Sequence, residues 1–303
     1  MKRIKLGKTG EMIPAVGIGT WKLGADRSGS IKAIRLGIDL GMRFVDTAEM
    51  YANEEVVGEA IKDHHTFIAT KLSPSHFHEK AVEKACNDSI ARLGVKAIDL
   101  YQLHWPNSGV PIKETMHAME RLVDQGKIHH IGVSNFNLEE LEEAQAAMKR
   151  YEIASNQIEY SVFVRDFGDA LFDYCKKEGI TIIAYSPLAR GAMFDEHYAK
   201  AYNVLESIAA KHGKTVGQVG LNWLVSKGNI CAIPKAASPE HVKENAAASD
   251  WKMSIEEIMA IDELGQLKAP MAGSLNAFTK RTAPFWSGLL TGVEKRRMHS
   301  KKE

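Results

Sequence analysis

Short apolar runs alternate with amphipathic stretches along most of the chain. Runs rich in Ile and Val fall at 15–19 (AVGIG), 43–46 (RFVD), 66–70 (TFIAT), 98–103 (IDLYQL), 128–133 (IHHIGV), 155–159 (SNQIE), 181–185 (TIIAY) and 230–234 (ICAIP). Strands covered on both faces need such short, nearly continuous apolar runs. Between them, apolar residues recur at helical spacing: 78–93 carries Ala81, Ala85, Ile90 and Leu93, and 115–123 and 138–149 follow the same pattern. Gly94, Gly126, Gly179 and Gly228 stand just past such stretches, where helices end on a left-handed residue.

Eight strands, each followed by a helical stretch at roughly 30-residue intervals, match a chain of βα units. The fold class this predicts is α/β, a (β/α)8 TIM barrel. The last two strands are separated by two helical patterns, 204–212 and 216–225. Ahead of the first strand, 4–14 (IKLGKTGEMIP) reads as an N-terminal β-hairpin turning at Lys8-Thr9-Gly10 and placed to cover the bottom of the barrel. No composition shift splits off a second domain. Residues 1–267 are read as the barrel and 268–303 as a C-terminal extension of the same domain.

Composition narrows the classes. Of 303 residues, 45% are hydrophobic and 25% charged, which excludes a disordered chain. With 39 basic and 38 acidic residues the net charge is +1, against a general nucleic-acid binder. The charge is uneven: 268–303 holds eight basic and two acidic residues, a net +6, and the remainder carries −5. The aromatic part, 278–286, reads as a loop over the barrel top followed by a short helix over 286–297, and the last few residues as a solvated tail. Cys86, Cys175 and Cys231 lie in apolar stretches and read as buried thiols of a reducing compartment. The start has no apolar run of signal-peptide length, and nothing approaches the ~18 apolar residues of a membrane span. A cytoplasmic protein without membrane contact is expected, monomeric or weakly homo-oligomeric.

In barrels of this kind chemistry sits at the C-terminal ends of the strands. Those ends carry Asp46 with Tyr51 behind it (DTAEMY), Lys71, His104 (LHWP), Ser134-Asn135, Gln157, Tyr185-Ser186 and Lys235. An acid, a phenol, an amine and an imidazole thus come from three consecutive strands. A free tyrosine titrates at about 10, too high for an efficient acid at neutral pH. A buried ammonium beside it lowers that value, and the ammonium needs a carboxylate such as Asp46 to stay charged. An imidazole opposite orients a carbonyl oxygen or shares its proton. Taken singly, each residue has a plain structural explanation: an ion pair, a core tyrosine, a hydrogen-bonded histidine. Together at strand tops they suit proton donation to a developing alkoxide. The twelve histidines are mostly dispersed, and His64-His65 and His129-His130 lack further ligands at metal spacing, so no metal site is expected.

The motifs GIGTW (17–21), DTAEMY (46–51), TK (70–71), LHWP (103–106), GVSNF (132–136), NQIEYS (156–161), YSPLARG (185–191) and IPKA (233–236) jointly resemble the aldo-keto reductase family. The resemblance implies a barrel that reduces aldehydes and ketones with a nicotinamide cofactor, NADP(H) preferred and NAD(H) possible. It implies a catalytic tetrad of Asp46, Tyr51, Lys71 and His104, with Tyr51 as the acid. Thr20, Trp21 and Asp46 resemble residues at the nicotinamide end. Ser134, Asn135 and Gln157 resemble those that bind the carboxamide, and Tyr185 the aromatic that stacks on the ring. Ser186 and Leu188 resemble pyrophosphate contacts, and Lys235, Glu244 and Asn245 contacts to the adenosine half. Trp21, Tyr51, His104 and Trp105 line the implied substrate pocket. Ala236 and His241 depart from the pattern, standing where the family commonly has a Ser and an Arg that bind the 2′-phosphate. The short segment 107–111 after His104 suggests an open site for small or sugar-like carbonyls.

Three rivals remain. A Rossmann dehydrogenase needs G-x-G-x-x-G, which Gly17, Gly19 and Gly24 do not fit. A Schiff-base lyase using Lys71 fits the strand-end lysine but not the acid placed to pair with it. A nucleotide-binding barrel with no turnover, of the channel-subunit or structural-protein kind, shares the fold, and an intact tetrad weighs against it.

Overall fold

The computed structural model describes residues 1–189, 191 and 199–264. Its first element is an antiparallel hairpin, β1 (Arg3–Lys5) with β2 (Met12–Pro14). Leu6 N donates to Glu11 O (2.9 Å) and Thr9 N to Leu6 O (3.2 Å), closing the turn where the glycines and Lys8-Thr9 predict it. Eight parallel strands follow: β3 (Ile18–Gly19), β4 (Phe44–Asp46), β5 (Phe67–Leu72), β6 (Ile98–Leu103), β7 (Ile128–Ser134), β8 (Ile153–Glu159), β9 (Thr181–Tyr185) and β10 (Ile230–Ala232). The hairpin buries Ile4, Leu6 and Ile13, and Gly7 N donates to the hydroxyl of Thr181 (2.8 Å) at the start of β9. It therefore crosses the N-terminal end of the barrel, leaving the other end for chemistry.

The ring closes at a seam between the first and last runs. Gly17 N donates to Ala232 O (2.8 Å), Ala232 N to Ala15 O (2.9 Å) and Gly19 N to Pro234 O (3.1 Å). The expected strands 15–19 and 230–234 both contribute, but only Ile18–Gly19 and Ile230–Ala232 keep a regular ladder. Pro234 has no N–H to continue one. The backbones also approach closely: a Cβ on Gly19 would lie 2.6 Å from Ile233 O, so this position has room only for glycine.

The surrounding helices are α1 (Arg27–Asp39), α2 (Glu54–Ile61), α3 (Glu79–Leu93), α4 (Ile112–Asp124), α5 (Leu138–Ala147), α6 (Gly168–Glu178), α7 (Ala199–His212), α8 (Val216–Ser226), α9 (Pro239–Ala246) and α10 (Ile255–Leu264). The helix expected over 138–149 stops at Ala147. The buried Glu120 carboxylate on α4 accepts the backbone N–H groups of Lys149 (2.9 Å), Arg150 (2.7 Å) and Tyr151 (3.3 Å), holding that segment out of a helix. Among the described residues no helix is long and apolar enough to cross a membrane. The expected C-terminal extension over 268–303, with its loop over the barrel top and short helix, lies outside the described residues.

The alternation of strand side chains sorts polar residues to two sides. On β5, Lys71 points into the barrel toward Asp46, while Thr70 points outward and donates to Glu54 on α2 (2.6 Å). Glu54 is buried and also accepts from Ser89 (3.2 Å) and Arg92 Nε (2.7 Å) on α3. The outer network thus fixes the strand whose inner face carries Lys71.

Candidate active site

Asp46 ends β4, Lys71 lies next to the end of β5, and His104 follows β6 directly. Tyr51 sits on a one-turn 3-10 helix, Glu49–Tyr51, that leaves β4. Lys71 Nζ donates to Asp46 Oδ1 (2.5 Å) and to Thr47 O (2.8 Å), and lies 3.5 Å from Tyr51 Oη. The Tyr51 and His104 rings meet edge to face, with centroids 5.5 Å apart and planes at 76°. Lys71 is 0% exposed, Asp46 2% and His104 7%. The four residues singled out from the sequence are therefore one contiguous cluster.

The electrostatics correct one expectation. Burial is the largest influence on Tyr51 and raises its pKa; Lys71 pulls it down, Asp46 pushes it up, and the net direction is upward. The ammonium therefore offsets the burial of the phenol without lowering Tyr51 below an ordinary tyrosine. For Lys71, burial opposes the charge, but Asp46 and Tyr51 outweigh it and hold the ammonium above the usual lysine value. Burial first, and Lys71 second, keep His104 well below the usual imidazole value. The cluster presents a neutral phenol, a charged ammonium and a neutral imidazole.

Several residues that hold this geometry escaped the sequence reading. Asn53 is buried; its amide donates to Thr20 O (2.8 Å) and Leu23 O (3.1 Å), and its carbonyl oxygen accepts from the Thr47 hydroxyl (2.8 Å). It knits the loops after β3 and β4 together beside the Thr47 carbonyl that holds Lys71. Ala52, between Tyr51 and Asn53, has a left-handed φ of 52°, which turns the chain back toward that position. The Glu49 carboxylate accepts from Ser73 N and from His76 Nδ1 (3.1 Å), pinning the turn that carries Tyr51 to the segment after Lys71. That hydrogen bond raises the His76 pKa. Gln102 also donates to Asp46. These residues face partners remote in sequence, so spacing alone carries no signal of them.

The other predicted residues fall into two groups. At the barrel mouth, Asn135 Nδ2 donates to His104 O (3.0 Å) and to Ser134 Oγ (3.0 Å), while Tyr185 Oη donates to Asn135 Oδ1 (2.9 Å). Gln157 Nε2 donates to Asp46 Oδ2 (2.8 Å). Thr20 N donates to Asp46 O (3.1 Å), which puts Thr20 beside the cluster; among the described residues its buried hydroxyl has no hydrogen-bond partner, and neither has His104 Nδ1. Trp21 is 42% exposed with Lys22 Nζ 4.4 Å from its ring, and Trp105 is half-buried. Ser186 has a left-handed φ of 48°, and Leu188 lies against Gly217 and Gly220 of α8. The second group is outlying. Lys235 is exposed in the segment after β10, and α9 carries His241, Glu244 and buried Asn245. The His241 side chain is 71% exposed, with Nδ1 3.2 Å from Glu244 Oε2. The helix cap comes from Ser238, whose hydroxyl accepts His241 N (3.3 Å), so the imidazole is left outside the cap.

Residues 15–266 match the aldo/keto reductase family. The chain belongs to that family. It is therefore an oxidoreductase on a (β/α)8 barrel. This aldo/keto reductase is 37% identical over 259 residues to methylglyoxal reductase YeaE of Escherichia coli (strain K12), covering 83% of this chain and 90% of that protein. It is likewise 37% identical over 272 residues to glyoxal reductase of Bacillus subtilis (strain 168), covering 87% and 92%. Among solved structures, a Klebsiella pneumoniae aldo/keto reductase in complex with NADP and acetate superposes with a TM-score of 0.79 at 37% identity, over 87% of this chain and 95% of that one. The thermostable aldo-keto reductase Tm1743, in complex with the inhibitor epalrestat, superposes with a TM-score of 0.83 at 39% identity, over 88% and 100%.

Proposed function

We propose that this aldo/keto reductase reduces small aldehydes and ketones to alcohols with NADPH, using Tyr51 as the general acid. The observation that carries the reading is the Lys71 ammonium held between Asp46 (2.5 Å) and Tyr51 (3.5 Å), with His104 edge-on to the same phenol. The buried Thr20 hydroxyl, without a partner among the described residues, supports a polar ligand at the mouth, as do Ser134, Asn135, Gln157 and Tyr185 gathered there. Thr20, Trp21, Asp46 and those four would hold the nicotinamide end, Ser186 and Leu188 the pyrophosphate, and Lys235, His241, Glu244 and Asn245 the adenosine end. The bound dinucleotide supplies the hydride. Tyr51 gives its proton to the carbonyl oxygen as negative charge develops there, and Lys71 stabilises the phenolate left behind. Asp46 keeps Lys71 charged, and neutral His104, opposite the phenol, orients the substrate oxygen. Trp21 and Trp105 supply apolar walls for the carbonyl's substituents. Relatives named as methylglyoxal and glyoxal reductases, and a neighbour solved with NADP, support a small carbonyl substrate and the phosphorylated cofactor.

Tyr51→Phe tests the acid. It removes the hydroxyl and keeps the ring against His104. Turnover of a small aldehyde should fall by at least ~100-fold, the lower range for general acid catalysis, while NADPH binding by fluorescence titration stays near wild type. Near wild-type turnover under conditions where chemistry limits the rate would rule Tyr51 out.

A further inference from the structure

Asp46 uses its two oxygens differently. Oδ1 takes the Lys71 ammonium, and Oδ2 takes two carboxamides: Gln157 Nε2 at 2.8 Å and Gln102 Nε2 at 3.1 Å. The same Gln157 nitrogen also lies 3.2 Å from Gln102 Oε1. Gln102 is 0% exposed, Gln157 1% and Asp46 2%, so a lost partner here is not replaced by bulk water. Three residues from β4, β6 and β8 thus form a closed ring inside the barrel. The strand between the two glutamines makes it possible. A Cβ on Gly132 of β7 would lie 2.9 Å from Gln102 Cγ, so the missing side chain there is what lets Gln102 reach across.

A carboxamide has two N–H donors and one carbonyl acceptor. In this ring Gln157 spends its donors on Asp46 and Gln102, which leaves its carbonyl oxygen for a ligand that offers an N–H. We infer that Gln102 is a positioning residue that fixes Asp46 and locks Gln157 as an acceptor, tying the proton-donating cluster to the nicotinamide end of the site. The inference rests on the proposed roles of Tyr51 and Gln157. Gln102 touches neither substrate nor cofactor; it acts through those two neighbours.

Gln102→Met tests it, keeping the volume and removing the amide. Two readouts separate positioning from packing. The first is NADPH affinity of the cofactor-free protein, measured by fluorescence titration. It should weaken about fivefold, the value of one ordinary hydrogen bond, because Gln157 is released to rotate. Adding Gln102→Met to Gln157→Met should weaken binding little further, since the two act as a unit. The second is the pH profile of alcohol oxidation, which needs Tyr51 as phenolate and so rises with pH. Asp46 raises the Tyr51 pKa, and with one donor fewer its charge bears more strongly on the phenol. The rising limb should move about half a unit toward higher pH. The inference stands only if both change; an affinity or a limb at the wild-type value overturns it, whatever happens to the melting temperature. Should Gln102→Met fail to fold, Gln102→Leu carries the same two measurements. If wild type binds no NADPH, or Tyr51→Phe retains full turnover, the proposed function fails first. Normal wild-type binding and an essential Tyr51, with an indifferent Gln102, reject this inference alone.

Discussion

Lys71 carries its charge where no water reaches it, and three oxygens make that possible: Asp46 Oδ1, Thr47 O and Tyr51 Oη. Removing one member of a buried pair leaves the other uncompensated. Lys71→Met should therefore destabilise the fold by about 3–5 kcal/mol in urea titration, because Asp46 loses its counter-charge. The double variant Asp46→Asn with Lys71→Met removes both charges and should recover most of that loss, yet remain inactive. A double variant no more stable than the single one would show that the pair is not coupled as the 2.5 Å contact implies. The raised Lys71 pKa also weighs against the Schiff-base rival, whose nucleophile is a free amine. Borohydride with carbonyl substrate and no cofactor should leave Lys71 without an adduct by mass. At this scale the four cluster residues were legible because Asp46, Lys71 and His104 stand at strand ends and Tyr51 lies in the loop behind one of them. Gln102 and Asn53 were not: nothing in their local pattern announces that Gln102 meets a carboxylate 56 positions away, or that Asn53 meets a carbonyl 33 positions away.

Elements are fixed by their ends as much as by their faces. Ser254 and Glu257 exchange reciprocal hydrogen bonds at the start of α10, Glu257 N to Ser254 Oγ (3.2 Å) and Ser254 N to Glu257 Oε2 (2.8 Å). Glu257 also takes Lys211 (2.7 Å) and His212 (2.9 Å) from the end of α7, so one carboxylate caps a helix and docks it. Burial works against the ionised form, but the bonds from Lys211, Ser254 N and His212 outweigh it and bring the pKa down to about 2. A carboxylate depressed on folding stabilises above its unfolded value of about 4.5, and that contribution drains away as pH falls toward 2. Glu257→Gln keeps the cap and removes the charge. It should lose about 2 kcal/mol at pH 7, as hydrogen bonds to a charged group typically contribute, and the gap to wild type should narrow at about pH 3. Urea midpoints at the two pH values measure it; a gap that does not depend on pH would mean the ion pairs add nothing to the docking. The cap is local, Ser254 three before Glu257, and escaped the sequence reading; its second use needs α7 beside it.

At the scale of the whole molecule, the open choice is between two cofactors that differ by one phosphate. Lys235 and His241 are the cations proposed to meet it, and both are exposed, with His241 also 3.2 Å from Glu244. His241→Arg, always charged and forked, should prefer NADPH over NADH more strongly than wild type. Dissociation constants for both cofactors in wild type and variant decide it. A ratio unchanged by the substitution would place the imidazole away from the phosphate.

The sequence by itself determined the barrel, the hairpin beneath it and the order of its eight strands. Those features follow from local periodicity and turn chemistry, which a linear chain carries in full. Tertiary structure decided the rest. It set where the seam closes, because Gly17 and Gly19 meet Ala232 and Pro234 only once the first and last strands come together. It decided that α5 ends at Ala147, because Glu120 from another helix claims the N–H groups of Lys149, Arg150 and Tyr151. It also reversed the expected direction for Tyr51: the charge of Lys71 could be foreseen, but not that burial of the phenol would exceed it. Burial is a property of everything packed around a group, and no spacing in one dimension encodes it.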